Sequence, residues 1–211
     1  MLQGKRIAVT GASGALGTVV MQALAAAGAN AAGFPRGTDL SDASVAQASV
    51  RAIAQQLGGL DALVNLAGGF SSAKLADGGV EAWESMHKSN LMTAVNATQA
   101  ALPLLGANGR IIYIGAAGAA KAGVGMGPYA ASKAGIAKLT EALAAEVKDR
   151  SITVNAILPS VIDTPANRAG MPKADFSRWV QPQQIADLIV FLLSDRASAI
   201  TGALIPIVGR V

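Results

Sequence analysis

Tyr129 and Lys133 stand four residues apart in the stretch GPYAASKAG, a spacing that puts both side chains on one face of a helix. An ammonium about 4 Å from a phenol favours the phenolate by up to ~4 kcal/mol at an effective dielectric of 20, or roughly 3 pKa units before desolvation is counted. A tyrosine shifted from about 10 toward neutrality in this way serves as a general acid or base. Upstream, where a hydroxyl would be expected to share the charge on a reacting oxygen, the chain reads Gly115-Ala116-Ala117. Removing one such donor slows carbonyl chemistry by on the order of 10²–10³. The pattern is therefore an acid–base pair with one partner missing.

Strand and helix patterns alternate along the chain that must position this pair. Strands are predicted at 6–10, 30–34, 60–69, 109–116, 152–159 and 203–209. Helices are predicted at 15–28, 42–59, 81–102, 129–148 and from Pro182 to Leu193, from apolar residues at helical spacing and from Ser, Asp, Gly and Pro at the ends. Apolar strands separated by helices imply a doubly wound parallel α/β sheet of six to seven strands, in a single Rossmann-type domain over residues 1–211. Only PRGTDLS separates the second strand from the helix at 42, too few residues for a crossover helix and a full strand. The third strand is accordingly expected to be rudimentary or absent. Pro206 lacks a ladder donor, so the last strand is expected at a sheet edge.

The composition narrows the function classes. A chain of 211 residues that is 52% hydrophobic and 14% charged builds one core. It has no cysteine and one histidine, His87, so no metal site is expected. The net charge of +4 is spread over single lysines and arginines with few aromatic residues, which argues against nucleic acid and for an anionic cofactor or a plain basic surface. No apolar run is long enough for a membrane span, and the chain enters its first strand without a leader-like segment. A cytoplasmic protein acting on a small molecule is expected.

The segment TGASGALG, 10–17, joins the first strand to the first helix. Gly11, Gly14 and Gly17 let the backbone turn and approach a pyrophosphate, which would rest on free amides at the helix N-terminus, with Ser13 and Leu16 in the same loop. The second strand ends in Phe34-Pro35-Arg36, with no carboxylate to accept both ribose hydroxyls and a guanidinium able to clasp a 2′-phosphate. NADP(H) is therefore favoured over NAD(H), and Asp39 is a candidate adenine contact.

TGASGALG, NLAGG (65–69), SNL (89–91), YAASK (129–133) and LPSVIDT (158–164) occur in the order and rough spacing of the short-chain dehydrogenase/reductase family, which the chain resembles over nearly its whole length. The resemblance implies that Tyr129 is the proton donor and that Lys133 also holds the nicotinamide ribose. It further implies that Asn90 places a water-linked proton relay to Lys133. Asn65, Ala67 and Gly68 would line the adenosine side, and Ile162 and Thr164 would contact the nicotinamide amide. GALG, AGGF and the stretch DTPANRAGMPKADFSRW (163–179) look like dihydropteridine reductase, which also lacks the serine replaced here around Gly115-Ala116. Pro35, where that enzyme has its NADH-selecting aspartate, and the retained Asn90 depart from it.

The leading expectation is thus an NAD(P)H-dependent oxidoreductase delivering hydride to a small conjugated substrate such as quinonoid dihydropterin, which spreads charge over its ring and needs one proton from Tyr129. The alternatives are a carbonyl or 3-oxoacyl reductase of the same family and a non-catalytic NADP-binding sensor or scaffold. Phe70, Ala116, Met171 and Trp179 are the candidate substrate contacts. Residues 163–181, which lack periodicity, are read as a mobile substrate lid. The helices at 81–102 and 129–148 are expected to pair across a two-fold axis in a homodimer or homotetramer, as the family's do.

Overall fold

The computed structural model describes residues 1–211. Six parallel strands form its sheet: β1 (Arg6–Thr10), β2 (Asn30–Gly33), β3 (Leu60–Asn65), β4 (Leu105–Ile114), β5 (Thr153–Pro159) and β6 (Leu204–Ile207), in the order β2-β1-β3-β4-β5-β6. Side chains alternate across the sheet at a period of two. Ile7, Val9, Val64, Ile112 and Ile157 face one layer, built by α1 (Ala15–Ala26) and α7 (Pro182–Leu193). Ala8, Leu63, Ile111, Tyr113 and Val154 face the other, built by α2 (Ala43–Leu57), α4 (Thr93–Ala101) and α5 (Gly127–Glu146). Ligands of such sheets bind outside the carboxyl ends of the strands.

The expected third strand is absent. β2 is the sheet edge, and residues 34–42 lead directly from it into α2, whose N-cap Asp42 accepts hydrogen bonds from the Ser44 and Val45 amides. At the opposite edge β6 pairs only with β5, with Pro206 beside Leu158, as its missing donor requires.

Two expected elements are modified. The helix read over 81–102 is α3 (Val80–Met86), a π-helical turn (His87–Met92) and α4. The extra residue in that turn lets Asn90 point inward, a distortion found mostly at functional sites. β4 starts at Leu105, four residues before the expected strand, and reaches the regular ladder through a register shift between the Leu60 and Ala62 pairs.

Candidate active site

The carboxyl ends of β1, β3, β4 and β5 bring together the motifs separated in sequence. Thr10 ends β1, and its hydroxyl accepts hydrogen bonds from the Leu66 and Ala67 amides, each at 3.1 Å. This pins the 65–69 loop to the glycine loop. In that loop Gly17 packs so tightly that a Cβ there would lie 2.2 Å from the Gly11 carbonyl oxygen, which only glycine permits. Gly14, the N-cap of α1, has no side-chain cap, so the first-turn amides that carry Leu16 and Gly17 are open donors toward an anion.

Beside it lies a cavity of about 370 Å³ between residues 38–41, residues 67–69 and the helix face carrying Ser85, Lys88, Ser89 and Thr93. Two buried polar atoms at this end of the sheet, Asn65 Nδ2 and Ser89 Oγ, have no hydrogen-bond partner within the protein. Orphaned groups of this kind are rare in native cores and fit a polar ligand such as the adenosine half of a dinucleotide. Asp39 lines the cavity; its carboxylate bonds Ser41, lies 3.5 Å from Lys88 and titrates below the ordinary carboxylate range, mainly because of the Ser41 bonds. Arg36 is exposed on the loop after β2.

Asn90 is buried, and its polar side chain is fully used. Its Oδ1 accepts from the Gly69 amide at 2.8 Å, while its Nδ2 donates to the Gly69 carbonyl at 3.2 Å and to Ser132 Oγ at 2.9 Å. Ser132 Oγ in turn donates to the Tyr129 carbonyl at 2.7 Å. Asn90 thus ties the loop after β3 to the helix that carries the reacting pair. Sequence reasoning missed Ser132, although it lies between Tyr129 and Lys133. It also missed buried Asn96, which holds the Leu40 and Ser41 carbonyls beside the cavity.

Tyr129 and Lys133 project from α5 as expected, but their electrostatics differ from the expectation. Lys133 is 7% exposed, and its Nζ donates to the Ile114 carbonyl at 2.8 Å, 6.0 Å from the Tyr129 ring centroid. Burial pushes the ammonium down to about 8 and pushes the Tyr129 phenol up. The expected depression of the phenol is therefore not a property of the protein alone. A buried ammonium needs an acceptor, and the last carbonyl of β4 is the one within its reach.

Ala116 occupies the position where the hydroxyl is missing, with its methyl buried and its backbone extended. Ser132 Oγ does not substitute for it, because it is engaged with Tyr129 O and Asn90. Phe70, 63% exposed, meets the Tyr129 ring edge-on at 5.1 Å.

The 163–181 segment leaves the carboxyl end of β5 on the same side as these residues. Its lack of periodicity conceals α6 (Pro165–Gly170), capped by Thr164, whose Oγ1 accepts from the Asn167 amide at 3.3 Å. Thr164 followed by Pro165 is a helix-start signal that sequence reasoning overlooked. Ile162 pairs with Val180, and its carbonyl accepts from Asn167 Nδ2 at 2.8 Å. Met171 is exposed at the end of α6. Trp179 differs from its expected place: it is 6% exposed and packs at a tilt against Phe176, with ring centroids 4.8 Å apart, so it anchors the segment and does not present a free face to substrate.

With this geometry in view, the chain was compared with known proteins. A family profile described as Enoyl-(Acyl carrier protein) reductase matches residues 1–209. The 3-oxoacyl-[acyl-carrier-protein] reductase FabG of Pseudomonas aeruginosa is 35% identical over 243 aligned positions, covering 99% of this chain and 97% of that protein. That alignment is longer than the 211-residue chain, so the relative carries internal residues that this chain lacks. A short-chain dehydrogenase/reductase from Serratia marcescens superposes with a TM-score of 0.92 at 29% identity, over 99% of this chain and 98% of that one. A short chain dehydrogenase from Burkholderia cenocepacia in complex with NADP gives 0.89 at 29% identity, again over 99% and 98%. The likeness spans the glycine loop, the Asn90 turn and the Tyr129–Lys133 helix together, and the chain belongs to the short-chain dehydrogenase/reductase family of oxidoreductases.

Proposed function

We propose that the protein is an NADP(H)-dependent carbonyl reductase of 3-oxoacyl type that works with Tyr129 as its only side-chain proton donor. The observation that carries this reading is the half-buried Tyr129 phenol one helical turn from a buried Lys133, on a sheet whose carboxyl end offers an uncapped helix and orphaned polar atoms. The 3-oxoacyl reductases among the relatives support the substrate class, and neighbours in complex with NADP and NADPH support the cofactor.

The open amides of α1 would hold the pyrophosphate, Asn65 and Gly68 the adenosine, Arg36 the 2′-phosphate and Lys133 the ribose. When bound, NADPH supplies the hydride. Tyr129 delivers the proton to the carbonyl oxygen, and its raised pKa keeps that proton in place until it is needed. Lys133 Nζ, held at Ile114 O, stands ready to restore it. The substrate side is apolar: Phe70 meets the Tyr129 ring, and Leu75 and Val124 are exposed on the two loops that bonds from the Ala73 amide and Ser72 Oγ to the Gly125 carbonyl join. Such a rim fits a ketone with an apolar body.

A second reading, reduction of a conjugated heterocycle such as quinonoid dihydropterin, is favoured by Ala116, since a delocalised charge needs no second donor, and by the open face of Phe70. NADPH oxidation should be followed with an acetoacetyl thioester and with quinonoid dihydropterin, using Tyr129→Phe as the blank. Turnover of the thioester that rises on the order of 10²-fold in Ala116→Ser is the expected outcome. Turnover confined to the dihydropterin, unimproved by that substitution, would replace the first reading with the second.

A further inference from the structure

The 163–181 segment is braced from within. Arg168 meets both Asp163 carboxylate oxygens, at 2.5 and 2.7 Å, and its guanidinium lies 4.9 Å from the Phe176 ring, which packs at a tilt against Trp179. Gln181 Nε2 adds a bond to the same carboxylate at 3.1 Å.

It is also held from outside, by residues 208–210 beyond β6. The Arg210 amide donates to the Arg178 carbonyl at 2.9 Å, Arg178 Nε donates to the Arg210 carbonyl at 2.7 Å, and an Arg210 guanidinium nitrogen reaches the Ser177 carbonyl at 3.3 Å. Ser160 Oγ donates to the Val208 carbonyl at 2.8 Å, fastening the same residues to the end of β5. Between these contacts Gly209 has φ +62°, and a Cβ there would lie 2.5 Å from the Arg178 carbonyl oxygen. The close approach of the two segments requires a residue without a side chain.

We propose that residues 208–210 are a clamp that fixes the 163–181 segment over the substrate side and so governs access to Tyr129. The proposal rests on the proposed function and on the sequence reading of 163–181 as the segment that covers the substrate. The clamp is built for opening: three hydrogen bonds at exposed positions, individually weak, hold a segment whose two ends meet at the isolated Ile162–Val180 bridge, outside the strands of the sheet. Closing buries Trp179, and opening exposes it. Segments that cover a site in this way commonly set substrate capture and product release.

Gly209→Ala breaks the close approach. Arg178→Ala removes only an exposed guanidinium and serves as the second variant should the first fail to fold. Amide hydrogen exchange of residues 163–181 is expected to quicken roughly tenfold in both, while the central strands stay protected. In a Trp83→Phe background, where Trp179 is the remaining tryptophan, its fluorescence should become more quenchable. KM for the thioester should rise about threefold or more without loss of kcat, and the NADPH dissociation constant should stay within about twofold. Unchanged exchange in both variants would overturn the clamp. Faster exchange with unaltered KM and kcat would overturn its control of access. A wild-type protein inactive on every ketone would remove the proposed function and the access role with it, whereas exchange would still decide the clamp.

Discussion

Lys133 sets the residue-scale behaviour of the site. Its ammonium is buried with one carbonyl acceptor and titrates near 8, well below the ordinary lysine value of 10.5. Ketone reduction that draws its proton through this ammonium should hold up to about pH 8 and decline above it, while Tyr129, raised by burial, keeps its own proton through that range. A pH profile of kcat/KM checks this, and a profile with no inflection near 8 removes Lys133 from the proton path. Stability has the opposite trend. Between about 8 and 10.5 the unfolded chain holds this proton and the native chain does not, so stability rises with pH across that window, and the burial penalty is present in full below it. Lys133→Met should therefore abolish turnover yet raise stability at pH 7, by on the order of 1–3 kcal/mol. Urea melts of the two proteins at pH 7 measure the difference.

At the scale of elements, the π-turn between α3 and α4 and the loop after β3 form one unit. Asn90→Ala removes both bonds to Gly69 and leaves Ser132 Oγ without its donor, so a loss of about 1–3 kcal/mol is expected by thermal or urea unfolding. NADPH affinity should fall with it, because Gly68 and Gly69 line the cavity. The loop after β2 carries the other element-scale test. If Arg36 clasps the 2′-phosphate, Arg36→Ala should weaken NADPH binding roughly 10–100-fold and leave NADH almost unchanged, from the strength of a charged hydrogen bond. Fluorescence titration of both cofactors decides it, and equal losses would place Arg36 outside the phosphate site.

On the scale of the whole molecule, the missing strand leaves β2 as the sheet edge, and no helix is long and apolar enough to cross a membrane. We propose that the helical stretches 81–102 and 129–148 pair across a two-fold axis in a homodimer or homotetramer, and light scattering should give a mass of two or four chains; a monomer would exclude it. The alternation of strand and helix, the absent third strand and the edge position of Pro206 were all readable before the fold, because hydrophobic period, connection length and a missing amide are local properties of the chain. So were Tyr129 and Lys133, from residue type and spacing, while the missing hydroxyl at Ala116 was legible through the family resemblance, which implies a serine there. The titration of the pair was not readable. It depends on Lys133 finding the Ile114 carbonyl on a strand that folds against α5, and on how deeply both groups are buried. The partners of Asn90 lie 21 and 42 residues away, at Gly69 and Ser132, and the π-turn that aims it has no periodic signature. Trp179 looked like a substrate residue until Phe176 covered it and residues 208–210 closed on its neighbours. Charge regulation, burial and long-range contact belong to the folded chain, because each is a sum over groups that the linear order keeps apart.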